Sequence, residues 1–135
     1  MSSQLLVSYD NDHDECQRYI YLLRKWGQNP NFPDVIFQEQ HMAPTEKLAA
    51  VPAVNEQAVK DCSALLLLIG NQTMENAYWV GWQITAAVAY HKPVIIYKLR
   101  AAYLSPYEVY DYDVAWLAEF SYDAIRTIFL EVAKE

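Results

Sequence analysis

The chain has 135 residues, the length of one domain whose single core can bury roughly two-thirds of the surface exposed by the unfolded chain. Its 10 Lys and Arg against 17 Asp and Glu give a formal charge of −7, and the basic residues are scattered, so a nucleic-acid backbone is repelled and is not an expected partner. The longest apolar block, Ala64 to Ile69, is too short to span a bilayer, and no basic flank precedes an apolar leader. Cys16 and Cys62 lack metal-ligand spacing. The expectation is one cytoplasmic domain over residues 1–135, with reduced thiols and no membrane contact.

In chain order, Leu5-Leu6-Val7 is an apolar run of strand length that stops at the polar cluster Ser8-Tyr9-Asp10-Asn11-Asp12, which carries turn and helix-cap residues. From Asp14 to Trp26 the residues Cys16, Tyr19, Ile20, Leu22, Leu23 and Trp26 recur at helical spacing, and Gly27 is placed to cap the end. Asp34 to Phe37 predicts a short second strand, and Gln38 to Pro52 a variable loop with one helical turn. Ala53 to Cys62 reads as helix and leads into the continuous apolar run Ser63 to Gly70, the pattern of a central parallel strand covered on both faces. A polar loop, Asn71 to Asn76, precedes a helix from Ala77 to His91 with little charge. Pro93 begins a fourth strand, Val94 to Tyr97. Arg100 to Asp113 has no strong pattern, and Val114 to Lys134 predicts a closing helix.

Strands alternating with helices imply right-handed crossovers and a parallel, doubly wound α/β sheet, for which the flavodoxin-like order 2-1-3-4 is the common solution. The crevice at the carboxyl ends of the first and third strands is then the default ligand site. Ser8, Tyr9, Asp10, Gly70 and Asn71 are expected to line it.

No GxxxxGK[ST] is present and the three glycines are isolated, so neither a P-loop nor a dinucleotide fingerprint can be assembled. His13, His41 and His91 are widely separated without paired ligands, so no metal is expected. The informative segment is Ala77-Tyr78-Trp79-Val80-Gly81-Trp82-Gln83-Ile84. On a helix Trp79, Gln83 and Ala87 share a face, with the indole one turn ahead of the amide and near the helix start. Two readings fit that spacing. In one the tryptophans pack on the sheet and Gln83 is an edge residue; in the other the face walls a nucleotide pocket.

The succession of Leu5-Leu6-Val7-Ser8-Tyr9-Asp10 with Asp12, then Lys60-Asp61-Cys62-Ser63-Ala64 running into Leu65 to Gly70, then Trp79-Val80-x-x-Gln83-Ile84 and Lys92-Pro93-Val94-Ile95, resembles the TIR-like domains. The resemblance covers about residues 4–98 and is nearest to the TIR-like component of bacterial Thoeris antiphage defence. It implies a flavodoxin-like fold and an NAD+ glycohydrolase, cyclase or transferase that breaks the nicotinamide–ribose bond of NAD+ without a metal. The ADP-ribosyl part passes to an acceptor, often internal, and the resulting signalling nucleotide activates a separate effector after a phage-derived trigger. The catalytic position of that family holds a glutamate, and this chain has Gln83 there, with Trp79 beside the nicotinamide and Ser8, Tyr9, Asp10 and Asn71 lining the substrate crevice. Glutamine keeps the shape and loses the charge that an oxocarbenium-like ribose requires, so the chain reads as impaired in turnover, either as a natural binder or as a substitution that traps ligand. Two further readings stand beside it. One is a non-enzymatic module that binds a nucleotide or assembles as a homo-oligomer through its 11 tyrosines, six of them between Tyr97 and Tyr122. The other is a nucleoside deoxyribosyltransferase-like enzyme.

Overall fold

The computed structural model describes residues 3–9, 14–29, 35–41, 57–70 and 77–133. Their elements are β1 (Ser3–Tyr9), α1 (Asp14–Gln28), β2 (Val35–His41), α2 (residues 57–61), β3 (Ala64–Ile69), α3 (Ala77–Ala89), β4 (Val94–Lys98), α4 (Glu108–Asp111), β5 (Ala115–Trp116) and α5 (Tyr122–Ala133). All strand pairs are parallel and the sheet order is β2-β1-β3-β4-β5. The expected run 2-1-3-4 is therefore extended at one edge by β5, which pairs Ala115 with Ile95 and Trp116 with Ile96. Order reverses at β1, with β2 on one side and β3 on the other, registered by Leu5↔Phe37 and Leu5↔Ala64.

Alternation along the strands sorts their side chains into two cores. One holds Leu5, Val7 and Tyr9 of β1 with Ala64, Leu66 and Leu68 of β3, and Ile20 and Leu23 of α1 and Ile125 and Phe129 of α5 cover it. The other holds Leu6, Leu65, Leu67, Ile69, Val94 and Ile96, beneath Val59 of α2, Val80, Ile84 and Ala87 of α3 and Val109 of α4. Every residue of β3 is buried, which is why that segment is apolar without alternation. The absence of charge in α3 has a related origin, since more than the sheet covers the helix: Gly81 is also buried, and a methyl group there would run into the carboxylate of Glu108, so α4 lies against this part of the helix.

The structure corrects four local expectations. Gly27 lies inside α1, which runs on to Gln28. β2 extends through His41 into the segment expected to be loop, while residues 42–56 lie outside the described ones. Residues 114–121 are not helical: Ala115 and Trp116 join the sheet, and α5 begins only after Ser121, whose Oγ accepts from the Ala124 N–H at 3.2 Å as an N-cap. The helix expected to end at His91 stops at Ala89, and it closes with a left-handed non-glycine residue. His91 has φ 60°, its N–H donates to the Val88 carbonyl at 3.0 Å, and the Lys92 N–H donates to the Ala87 carbonyl at 2.7 Å. These two bonds form a Schellman motif, which satisfies carbonyls that would otherwise be orphaned at the helix end.

Cys62 is a free, buried thiol whose Sγ–H donates to the Val59 carbonyl at 3.1 Å. Burial pushes it up to about 11, with Lys92 opposing. Below the ordinary thiol value of 9.0 both folded and unfolded states keep the proton; between there and about 11 only the unfolded chain releases it. Stability must therefore fall as pH rises through that window, and Cys62→Ala should flatten this part of the pH dependence, measured as denaturation midpoints at pH 8 and 10.5. Phe129 has no exposed surface in the α1/α5 core. Phe129→Ala should cost about 3–5 kcal/mol in urea unfolding, with the loss shared between lost burial and the cavity left behind.

Candidate functional site

The carboxyl ends of β1 and β3 meet at the point where strand order reverses, so the chain leaves β1 toward one face of the sheet and β3 toward the other. Ser8 is the penultimate residue of β1. Alternation turns it toward α3, in the same row as Leu67, its register partner. On α3, Gln83 lies one turn after the start of the helix's buried face, between Val80 and Ala87, and points back at the sheet.

Ser8 Oγ–H donates to Gln83 Oε1 at 2.5 Å. Both residues are 0% exposed, and among the described residues they are the two buried side chains of polar type. The bond crosses 75 residues of sequence and ties the edge of the crevice to the helix that forms its wall. It also sets chemistry. An amide that accepts at Oε1 offers its Nε2 hydrogens to whatever lies on its other side, while the hydroxyl oxygen retains acceptor capacity. A carboxylate in the same place would have no exposed surface over which to be hydrated, and burial would raise its pKa. A neutral amide of equal length fits without that cost.

The remaining predicted residues are distributed as follows. Tyr9, next to Ser8 on the strand, faces the opposite side and is packed in the α1/α5 core at 5% exposure, so it does not share the Ser8 side of the crevice. Asp10 and Asn71 lie outside the described residues. Trp79 is in the first turn of α3, and its side chain lies outside the described ones. Gly70, which follows β3, is buried at the crevice. Sequence reading missed Glu108, whose carboxylate occupies the notch left by Gly81. The signal was a glycine set between Tyr78-Trp79-Val80 and Trp82-Gln83-Ile84, the run of larger residues in this helix. Two open grooves lie elsewhere, one at the amino end of β4 beside His91, Lys92 and Asp113, the other between Trp116 and α5; neither includes Ser8 or Gln83. Among the described residues no three His, Cys, Asp or Glu side chains are grouped to hold a metal, and no helix is long and apolar enough to cross a membrane.

Removing the hydroxyl deprives a buried amide oxygen of this donor, so Ser8→Ala should cost about 1–3 kcal/mol. Combining it with Gln83→Met, which removes the amide as well, should cost less than the sum of the two single changes. Urea unfolding of the two single variants and the double variant measures the coupling.

Comparison with known proteins agrees with this architecture. A crystal structure of a 3-dehydroquinate dehydratase-like protein from Bifidobacterium longum is similar with a TM-score of 0.56, covering 99% of this chain and 97% of that one. At 12% identity the likeness concerns the fold alone. No curated protein matches the chain. The family model described as Thoeris protein ThsB, TIR-like domain, matches residues 6–102, which include both Ser8 and Gln83. The chain belongs to the TIR-like domain family of the Thoeris antiphage-defence protein ThsB.

Proposed function

We propose that this domain binds NAD+ at the carboxyl ends of β1 and β3, with the nicotinamide ribose against Ser8 and Gln83, and that glutamine in the place of glutamate slows its cleavage. The supporting observation is the buried Ser8–Gln83 hydrogen bond at the switch point: among the described residues these are the two buried polar side chains, and open α/β sheets take their ligands at such a point. In the reaction the bond between ribose C1′ and the nicotinamide nitrogen breaks and its electron pair leaves with nicotinamide. The oxocarbenium-like carbon is then captured by an acceptor, which gives up a proton. Charge at position 83 acts on that developing cation. The amide of Gln83 can hold a ribose hydroxyl but supplies no negative charge to C1′.

Because Gln83 has no exposed surface, ligand reaches it only when the groups covering it part. Such an opening gives a defence protein a place at which a phage-derived trigger can act. The product, an ADP-ribose-derived nucleotide, would in turn reach a separate effector. The same neutral pair favours a second reading, a module that binds the nucleotide without turning it over.

One substitution separates the two. Gln83→Glu should bind NAD+ with a similar dissociation constant and release nicotinamide about 10²- to 10³-fold faster, measured by mass spectrometry of the products. Burial holds the introduced carboxyl protonated to higher pH than an exposed one, so cleavage by the variant should climb as pH rises above the ordinary carboxylate range. A folded variant that binds NAD+ and still releases no nicotinamide, in the presence of infected-cell extract as trigger, leaves the binding module as the function.

A further inference from the structure

Lys98 ends β4, and three observations single it out among the basic residues. Its backbone is held on a strand: Lys98 registers with Ile69 of β3, and the next residue, Leu99, donates its N–H to the Ile69 carbonyl at 2.9 Å. Its face is set by alternation. Ile96 packs under α3 in the same core as Leu67, while Tyr97 packs toward the other face, so Lys98 projects on the α3 side, as Ser8 does. Its surroundings suit an anion: the side chain is half-buried, and among the described residues no carboxylate pairs with it, in a chain that carries an excess of seven acidic groups.

Those constraints place the residue relative to the candidate site. Ser8, Leu67 and Ile96 form one row across β1, β3 and β4. Lys98 stands two residues further toward the carboxyl end and two strands across, which puts the Cα atoms of Ser8 and Lys98 roughly 12 Å apart at ordinary strand spacing and rise. The flexible lysine stem spans part of that interval. A dinucleotide whose ribose rests on the Ser8–Gln83 pair would carry its phosphates up and across the strand ends, out of the apolar core and toward the ammonium group. An acidic protein repels such a ligand unless a local cation offsets the field.

We infer that Lys98 is the phosphate-recognising residue of this site, engaging the pyrophosphate of the bound dinucleotide through a charge-assisted hydrogen bond. The inference rests on the proposed nucleotide site and assigns the ligand's anionic portion to a residue outside the Ser8–Gln83 pair. It makes Lys98 a determinant of affinity for phosphate-bearing ligands and leaves bond cleavage to position 83.

Calorimetric titration of the full chain with NAD+, ADP-ribose, inorganic pyrophosphate and nicotinamide riboside tests it. Lys98→Gln should weaken NAD+ and ADP-ribose by about 10- to 100-fold, leave the phosphate-free riboside unchanged, and reduce the salt dependence of NAD+ binding. Lys98→Arg should retain affinity to within a few-fold. Thermal melts of both variants should match the parent, since the side chain lies at the rim. Equal NAD+ affinity in Lys98→Gln, or an equal loss for the riboside, overturns the assignment. A parent protein that binds pyrophosphate and ADP-ribose through Lys98 but not NAD+ keeps the phosphate site and rejects the NAD+ reading. One that binds no phosphate-bearing ligand rejects both.

Discussion

The double-sided burial of β3 governs the rest of the domain. A strand from Ala64 to Ile69 with no exposed residue must be covered by helices on each face and flanked by strands on each edge, because its backbone donors and acceptors have no water to turn to. Parallel partners β1 and β4 meet the backbone requirement. Right-handed crossovers then send α1 and α5 to one face and α2, α3 and α4 to the other. The reversal of order at β1 is a by-product of wrapping both faces, and it is beside this reversal that Ser8 and Gln83 meet.

Among the described residues that apolar arrangement holds one buried polar pair. The Ser8 hydroxyl and the Gln83 amide oxygen satisfy each other in a region where an unpartnered hydroxyl or amide would be costly, so the pair is a structural tie between sheet and helix and fixes the orientation of both groups. These two roles do not conflict. A polar group fixed by its neighbour keeps one orientation, so the pair holds the register between strand and helix as well as meeting its own hydrogen-bonding needs.

Much of this was legible in the residues. Long runs such as Leu65 to Ile69 and the periodic apolar face of α1 announce their states because burial dictates them over many positions at once. Gln83 was legible only as a choice between an edge residue and a pocket wall, and its complete burial against Ser8 goes against the edge position. What escaped is short or encoded by partners distant in sequence. A two-residue edge strand carries no period, and Trp116 and Leu117 resemble helix residues until their bonds to β4 are seen; the Leu117 N–H donates to the Ile96 carbonyl at 2.8 Å. The end of α3 was hidden because a histidine takes the left-handed position usually given to glycine. Tyr9 and Ser8 looked equivalent as neighbours in one polar cluster, and only the assignment of both to an extended strand separates their faces.

The link between α3 and β4 has a mechanical consequence. Four residues, 90–93, connect the helix to the strand. Within them the Lys92 N–H is bonded back to the helix at Ala87, and the Pro93 carbonyl accepts from the Leu65 N–H of β3 at 2.9 Å. The carboxyl end of α3 is thereby clamped to the sheet with almost no slack. Sliding the helix along its axis would break these bonds, so the short link fixes the height at which Gln83 meets Ser8. The His91 turn thus acts as a stop that sets the axial position of α3, and with it the meeting of strand and helix side chains one and two turns away.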